Sequence, residues 1–322
     1  MNLHVIINPR SKLARNEQAL AIIKGKFGAF LHGITETTCA QDAVEVARYA
    51  ARNDSDTLVV AGGDGTINAV LHGLAATGVA LGVIPGGTAN DLASLYELPS
   101  DVGAACDVIL RRRLRAIDLI GVNGSYFVTG GGLGLPTKVA AHANAIKSRG
   151  GLGAMLHGML GSRLYVMSAI CALLRHSYEN TPLAIRWDRG SRTADCLSFT
   201  VNNQPFLGRH FFMSPQAANN DGLFDVCLIE NSQSRVQIAA ALTRALRGSH
   251  ITLPSVTSWR AQELVVRAEK PLPFFADGEQ LQTADVFTIK IFPQSLNLIV
   301  PAENTRPEIR ASRERNNHAL YS

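Results

Sequence analysis

The 322-residue chain contains few cysteines and no uninterrupted apolar run long enough to span a membrane. Its five cysteines are scattered and form no Cys-x-x-Cys pair, which argues against a disulfide framework or a zinc knuckle and favours a reducing compartment. The segment 151–174 is largely apolar, but His157 and Arg163 interrupt it, whereas a spanning helix needs about 20 apolar residues. It is predicted to be a helix packed on a protein core, or an apolar helix beside a lipid-sized cleft or a bilayer.

The first ten residues, MNLHVIINPR, lack the basic segment and the cleavage site of a secretory signal, so we expect a mature cytoplasmic protein. A net charge of +5 and a pI near 9.1 favour anionic partners such as nucleotides, phosphoryl groups or an acidic membrane surface. With 46% apolar residues, the chain has enough apolar side chains for the cores of two domains.

Common metal and nucleotide motifs are also missing. The nine histidines are dispersed, and no two of them lie two to four residues apart as in a metal-binding pair. No Gly-Lys pair completes a GxxxxGK[ST] phosphate loop, and Asn68 stands where a GxGxxG dinucleotide motif requires its third glycine. These absences argue against a histidine metal centre and a P-loop, and they leave only a weak partial match to a dinucleotide fingerprint.

Up to residue 118, short apolar strands alternate with longer helical patterns. Strands are predicted at 3–8, 34–38, 57–62 and 80–85, and helices at 15–31, 41–53, 67–76 and 89–98. This order predicts right-handed βαβ units around a largely parallel sheet that is covered on both faces.

After residue 118 the pattern changes to strands separated by turn residues, as in an antiparallel sandwich or barrel. Helical stretches at 138–176 and 232–248 interrupt these strands. The basic run at 111–115 is predicted to be a solvated turn or a helix end. The last twenty residues are polar and charged, which predicts a frayed tail.

Two glycine-rich loops follow strands of the predicted parallel sheet. GGDGT and PGGTAND lie 24 residues apart, and both precede helices. The carboxyl ends of parallel strands meet at one edge of the sheet, where helix N-termini and close backbone approach suit a phosphate. A carboxylate such as Asp64 would repel that phosphate unless it binds a divalent cation or handles a proton. The two loops therefore predict phosphoryl chemistry.

Five sequence blocks occur together in this chain: NP at 8–9, GGDGTIN at 62–68, GVIPGGTANDLA at 82–93, DGLFDV at 221–226 and DGE at 277–279. In this order they resemble the diacylglycerol kinase catalytic-domain family of lipid kinases, in particular its soluble bacterial branch. The blocks extend from residue 8 to about 300 and so cover nearly the whole chain. GGDG alone is shared with NAD kinases and phosphofructokinases, but the combination is far more specific.

The resemblance implies an α/β fold in two parts: an N-terminal three-layer α/β domain with an NAD-kinase-like parallel sheet, and a C-terminal antiparallel β-sandwich domain with helical insertions. The nucleotide-binding domain would comprise 1–118 and be completed by the last strand near 296–302. The lipid-substrate domain would comprise 119–295, followed by a polar tail at 303–322. ATP would lie across the glycine loops, and the lipid would enter between the domains.

The resemblance also assigns nucleotide-binding positions. One group lies after the first two strands, and the others lie in the two glycine loops. The implied ATP-binding residues are Asn8, Pro9, Thr37, Gly62, Gly63, Asp64, Gly65, Thr66, Ile67, Asn68, Gly87 and Thr88.

Two acidic motifs carry the remaining implied roles. By resemblance, Asp221 and the carbonyls of Leu223 and Ala218 bind a magnesium ion. The motif Asp277-Gly278-Glu279 contains the catalytic acids, with Glu279 as the base that takes the proton of a lipid hydroxyl during in-line attack on the γ-phosphorus. Taken alone, Asp277-Gly278 is a hairpin signal, and Asp64 is a rival base.

Three positions depart from the pattern of the family. Lys12 replaces a glycine after the NP block, Ala69 replaces a glutamate after GGDGTIN, and Gly86 replaces the commoner leucine. The first adds a positive charge near the nucleotide, and the second removes a carboxylate that could bind metal or adenosine.

The sequence therefore predicts a cytoplasmic lipid kinase that uses ATP and magnesium to phosphorylate a hydroxyl of diacylglycerol, a sphingoid base or a related lipid. The predicted partners are ATP, this lipid and, by peripheral contact, the inner membrane surface, with no nucleic acid. Two alternatives stay open: a nucleotide-binding regulator with vestigial activity, and a kinase for a soluble acceptor such as NAD. The oligomeric state also stays open, a homodimer included.

Overall fold

The computed structural model describes residues 1–302 except 10, 12, 54, 149–180, 209 and 232–233. Three features predicted from the sequence lie outside the described residues. They are Lys12, the apolar segment 151–174 and the polar tail 303–322.

The N-terminal part contains a parallel sheet. β1 (Leu3–Ile7) pairs with β2 (Leu31–Glu36) and with β3 (Thr57–Gly62), and β3 pairs with β4 (Ala80–Pro85), always in parallel. The resulting order is β4-β3-β1-β2. All residues of β1 and β3 are buried, as expected for strands that helices cover on both faces.

Helices cover both faces of this sheet. α1 and α5 share one apolar core with the sheet, and α2 and α3 share another. On α2 the buried residues Ala43, Ala47 and Ala50 recur at helical spacing. Asn16 and Asp101 cap α1 and α5 by accepting backbone N–H groups. The helical bounds are α1 (Glu17–Phe27), a 3-10 turn (Gly28–Phe30), α2 (Ala40–Arg52), α3 (Asp64–Leu74), α4 (Asp91–Leu95) and α5 (Val102–Arg111).

The C-terminal part is dominated by antiparallel strands that enclose a separate apolar core. The strands are β5 (Leu114–Val122), β6 (Ser125–Phe127), β7 (Gly130–Gly134), β8 (Pro182–Trp187), β9 (Gly190–Asn202), β10 (Phe224–Glu230), β11 (Val256–Ala261), β12 (Glu263–Ala276) and β13 (Glu279–Ile299). The helices described in this part are α6 (Leu135–Ser148), α7 (Arg235–Ala245) and the 3-10 helix Ser249–Thr252.

The long strand β13 joins the two parts. It pairs with β12 and β5 in antiparallel fashion, and its last residues pair in parallel with β4 through Asn297 and Leu298. β5 itself runs through residue 118, the predicted domain boundary. We propose that the nucleotide-binding domain comprises 1–118 with the end of β13, and that 119–295 form the lipid-substrate domain.

The predicted fold class, a three-layer α/β part followed by a β-sandwich with helical insertions, is confirmed. β4 occupies the predicted residues 80–85, and the basic run at 111–115 contains the end of α5 and the start of β5. Helix α5 was not predicted from the sequence. Among the described helices, none combines the length and the apolar character required to cross a membrane.

Candidate active site

The two glycine loops are in direct contact at the carboxyl edge of the parallel sheet. A Cβ built on Gly63 would lie 2.8 Å from the Cα of Gly87, and one built on Gly87 would lie 2.5 Å from the Cα of Gly63. Gly86 N donates to Gly62 O at 2.8 Å, and the side chain of Asn90 closes the second loop on the backbone of Gly87. Only glycine at 63 and 87 permits this approach, because any side chain would overlap the opposite backbone.

The residues after β1 and β2 adjoin the first of these loops. Asn8 Nδ2 donates to Thr66 Oγ1 at 2.9 Å, which ties the end of β1 to the first turn of α3. Pro9 is partly buried next to Asn8, and the backbone N–H of Thr37 donates to Ile7 O at 3.1 Å. These predicted positions therefore lie together at the edge of the sheet, and Thr37 has a buried side chain.

Asp64 is the first residue of α3, directly after Gly63. Its Oδ1 accepts the backbone N–H of Asp91 at 2.8 Å, so the acid of the first loop is oriented by the end of the second. Asp91 is buried, and its Oδ2 accepts the backbone N–H of Gly208 at 2.8 Å. Asp91 has no distinct functional signal in the sequence, because an aspartate at the start of a predicted helix is explained by helix capping alone.

The predicted hairpin is present at residues 277–278. Asp277 and Gly278 have φ values of 50° and 83°, and Ala276 pairs with Glu279 across the turn. Two consecutive positive φ values are those of a type I′ turn. The turn places Glu279 at the start of β13, where its side chain is exposed.

Asp277 is buried and accepts four hydrogen bonds. Its Oδ1 accepts from the backbone N–H and the hydroxyl of Thr129, at 2.9 and 2.5 Å. Its Oδ2 accepts from Val128 N at 3.1 Å and from Asn68 Nδ2 at 2.9 Å. These bonds occupy the acceptor sites of the carboxylate and suit a positioning role better than direct contact with a substrate.

Glu279 lies against the first turn of α3. A Cβ built on Gly65 would come within 3.1 Å of Glu279 Oε1. The acid of the C-terminal hairpin and the glycine loop of the parallel sheet therefore meet, although they lie more than two hundred positions apart in the sequence.

Three predicted nucleotide-binding residues have other surroundings. Ile67 is 2% exposed and belongs to the apolar core, so its side chain faces away from the loop. The amide of Asn68 donates to Asp277 and to Tyr126 O, which joins α3 to the β-rich part. Thr88 is partly buried in the second loop, and the helix after it has only five residues.

A largely apolar pocket opens beside this cluster. It encloses about 940 Å³ of empty space, counting the part that opens to solvent. Its wall includes Leu135 and Val139 of α6, Ile229 of β10, Leu242 of α7 and Phe275 of β12. Its mostly apolar lining is typical of pockets that bind small molecules.

The lining also has polar members next to the glycine loop and the hairpin. Asp64 and Asp91, which are bonded to each other, line the pocket together with Thr129, Asp277 and Gly278. An apolar chain in the pocket would therefore lie close to Asp64 and the 277–278 turn.

The predicted metal position at Asp221 lies apart from this pocket lining. Asp221 Oδ1 accepts the backbone N–H of Leu223 at 3.1 Å, and its Oδ2 accepts a hydrogen bond from Arg260 Nη2. Arg260 Nε also lies 3.6 Å from Asp225 Oδ2. Burial raises the pKa of Asp225 to about 6, although the nearby Arg260 acts to lower it. The proposed ligand Ala218 precedes this turn.

The turn around Asp221 is bonded to the core below it. Asp118 is fully buried; its N–H donates to Asn219 O at 2.7 Å, and its Oδ2 accepts from Gly222 N at 2.8 Å. Asn219 Oδ1 also accepts from the hydroxyl of Tyr96 at 2.8 Å. Burial raises the pKa of Tyr96 to about 12, which keeps this phenol protonated as a donor.

Two family models match the chain. Residues 2–122 match the model described as diacylglycerol kinase catalytic domain, and residues 133–300 match the YegS C-terminal NAD kinase beta sandwich-like domain. Together they cover the parallel sheet and the β-rich part.

Comparison with individual proteins also finds diacylglycerol kinases. A diacylglycerol kinase of Bacillus subtilis is 31% identical over 280 residues, which is 85% of this chain and 88% of the relative. A crystal structure of a diacylglycerol kinase from Bacillus anthracis has a TM-score of 0.74 at 22% identity, and the match covers 94% of this chain and 98% of that one. An NAD kinase of Archaeoglobus fulgidus, solved in complex with ATP, has a TM-score of 0.54 at 13% identity, covering 97% and 98%. At these identities the two solved structures show the fold.

Proposed function

The chain belongs to the diacylglycerol kinase family and is a lipid kinase, and we propose that it transfers the γ-phosphoryl group of ATP to a hydroxyl of diacylglycerol, a sphingoid base or a related lipid. One observation carries this proposal: Asp64 and the hairpin turn that precedes Glu279 line a largely apolar pocket. A lipid whose chains fill the pocket would present its hydroxyl to these acids.

The proposed nucleotide position is the contact between the glycine loops. Gly63 and Gly87 leave the backbone accessible there, and the N-terminal turn of α3 offers N–H groups to phosphate oxygens. ATP would enter as its magnesium complex, for which Asp64 is the proposed carboxylate ligand. The bond from Asp91 N fixes the orientation of Asp64, which suits a residue that holds an ion.

Glu279 is the proposed base. It is exposed at the end of a tight turn and lies against Gly65, where the lipid and the nucleotide would meet. It would take the proton of the lipid hydroxyl while that oxygen forms a bond to the γ-phosphorus. The bond from this phosphorus to the bridging oxygen breaks, and ADP leaves with the electron pair. The buried Asp277 would position Glu279 from the neighbouring turn.

Two rival functions are less well supported. The apolar pocket favours a lipid over NAD as acceptor. Ala69 is only 6% exposed, and its methyl group packs in the apolar core. The absence of a carboxylate at this position is therefore weak support for a regulator without kinase activity.

We also propose a cytoplasmic location with peripheral contact at the inner membrane surface, since the acceptor would be a membrane lipid and the chain carries a net charge of +5.

The experiment that tests the function uses the purified full chain, magnesium, ATP and a panel of acceptors. The panel contains diacylglycerol, monoacylglycerol, a sphingoid base and NAD. We expect a phosphorylated lipid and no phosphorylated NAD. Transfer to NAD alone would replace the lipid assignment, and binding of ATP without transfer to any acceptor would favour the regulatory alternative.

A further inference from the structure

Arg260 connects two carboxylates of the β-rich part. It lies directly opposite Asp225 in the antiparallel pair β11 and β10, so both side chains lie on the same face of the sheet. Its Nε is 3.6 Å from Asp225 Oδ2, and its Nη2 bonds to Asp221 Oδ2 in the preceding turn. One guanidinium thus bridges a strand and the turn that leads into it.

The contacts of Asp221 fit this guanidinium better than a magnesium ion. Both of its carboxylate oxygens already accept hydrogen bonds, one from Leu223 N and one from Arg260. Magnesium requires nearly octahedral oxygen ligands at about 2.0–2.1 Å, which the fork of an arginine bound to the same oxygen would obstruct.

We propose that Arg260 takes in this chain the place of the divalent cation that the family resemblance assigns to Asp221. The positive charge is then a side chain of the protein itself. The pairing of β10 with β11 holds Arg260 beside Asp225. The carbonyls of Ala218 and Leu223 then have no ion to bind. This inference concerns a cation of the fold and does not depend on the proposed phosphoryl transfer.

Arg260 acts as a positioning residue through the turn that it holds. Gly222 N bonds to the buried Asp118, and Asn219 accepts from Tyr96 at the end of α4. Since α4 starts at Asp91, whose N–H orients Asp64, the turn at 219–222 and the acid of the first glycine loop are linked through one short helix. The arginine thus keeps this connection in place without added metal.

The test measures metal binding and thermal unfolding of the full chain without nucleotide or lipid, so that failure of the kinase assignment cannot affect it. Mn²⁺ serves as the probe, and its binding is counted by electron paramagnetic resonance. We expect no Mn²⁺ at Asp221 in the wild type and the same Tm in EDTA as in millimolar Mg²⁺.

Three variants extend the test. Arg260→Ala should lower Tm by several degrees in EDTA, and Mg²⁺ should restore part of the loss, since two carboxylates would then be without their cation. Arg260→Lys keeps the charge but lacks the planar fork, so its Tm should lie between those of the wild type and Arg260→Ala. Arg186→Ala, at an exposed arginine of β8, is the matched control and should show no dependence on Mg²⁺.

The proposal is overturned if the wild type binds one Mn²⁺ per chain and Asp221→Asn abolishes that binding, or if EDTA lowers the Tm of the wild type but not that of Asp221→Asn. If the wild type and Asp221→Asn bind the same number of Mn²⁺ ions per chain, those ions belong to another site and the proposal stands. Because the comparison of the wild type with Asp221→Asn is decisive by itself, the test stands even if Arg260→Ala does not fold.

Discussion

Asn68 donates a hydrogen bond to Asp277 across 2.9 Å, between two residues 209 positions apart. Asn68 lies on α3 directly after the first glycine loop, and Asp277 lies in the turn that carries Glu279. This bond holds the proposed base of the β-rich part against the proposed nucleotide site of the parallel sheet.

Asp277→Asn should therefore lower both stability and turnover. An asparagine has one acceptor oxygen instead of two, so at least one of the donors Asn68, Val128 and Thr129 would lose its partner in a buried site. The expected cost is about 1–3 kcal/mol, measured by denaturant unfolding. In a double-mutant cycle, Asn68→Ala and Asp277→Asn should be non-additive. Additive effects would show that the bond does not couple the two parts.

Gly63→Ala should destabilise the protein and weaken ATP binding. The new Cβ would lie 2.8 Å from the Cα of Gly87, and backbone cannot yield as the end of a flexible side chain can. We expect a loss of about 1–3 kcal/mol, the usual range for overpacking, together with weaker binding of ATP by calorimetry.

Gly25→Ala is the matched control for this substitution. Gly25 lies within α1, and nothing lies within 4 Å of a Cβ built on it. The control should stabilise the protein by about 0.5–1 kcal/mol through helix propensity and leave ATP binding unchanged. If Gly63→Ala binds ATP as well as the control does, the contact between the loops is not part of the nucleotide site.

Val139→Trp should raise the KM for a long-chain lipid and leave the KM for ATP unchanged. Val139 lines the apolar pocket, and the indole would fill space that an acyl chain needs. We expect a rise of roughly tenfold, equivalent to about 1.4 kcal/mol, and a smaller rise for a short-chain lipid. Val236→Trp, at a position 78% exposed on α7, is the control. Equal effects of the two substitutions would show that the apolar pocket does not bind the lipid.

The contribution of His250 to the stability of the protein should be lost as the pH drops below about 6.5. His250 is fully buried, with Nε2 3.5 Å from Cys227 Sγ, and burial lowers its pKa below the usual 6.5. The neutral imidazole is favoured in the folded state, so the associated stability is complete above the usual pKa and is lost as pH falls toward the lowered one. Unfolding measured from about pH 7.5 to about pH 5.5 should show this loss as a difference in slope between the wild type and His250→Phe, because Asp225, whose pKa burial raises to about 6, acts in the opposite direction in both proteins. An unchanged slope would exclude His250 as its source.

Local features of the site could be predicted from the sequence, because the physical cause lies within a few residues. The strand at 80–85 is a continuous apolar run bounded by turn residues, and Asp277-Gly278 forms a two-residue hairpin with two positive φ values. The convergence of the glycine loops followed from the general rule that parallel strands end at one edge.

The partners of these residues could not be predicted in the same way. The family resemblance implies a catalytic acid at Asp277, but its bonds to Asn68 and Thr129 depend on how β12, β7 and α3 pack together. Arg260 faces Asp225 only because of the register of two strands, which one residue of slippage would change. Helix α5 does carry a sequence signal that the prediction did not use: an aspartate cap at Asp101 is followed by apolar residues at helical spacing, Val102, Ala105, Cys106 and Ile109.

The central claim, a lipid kinase with Glu279 as its base, is tested most directly by transfer of labelled γ-phosphate from ATP into extractable lipid. The full chain is compared with Glu279→Gln, and Glu263→Gln, an exposed glutamate on β12, is the matched control. We predict labelled lipid with the wild type and with Glu263→Gln, and a kcat lower by about 10²–10⁴ with Glu279→Gln at unchanged Tm. The claim is contradicted if Glu279→Gln transfers label at the wild-type rate, or if the wild type labels no lipid.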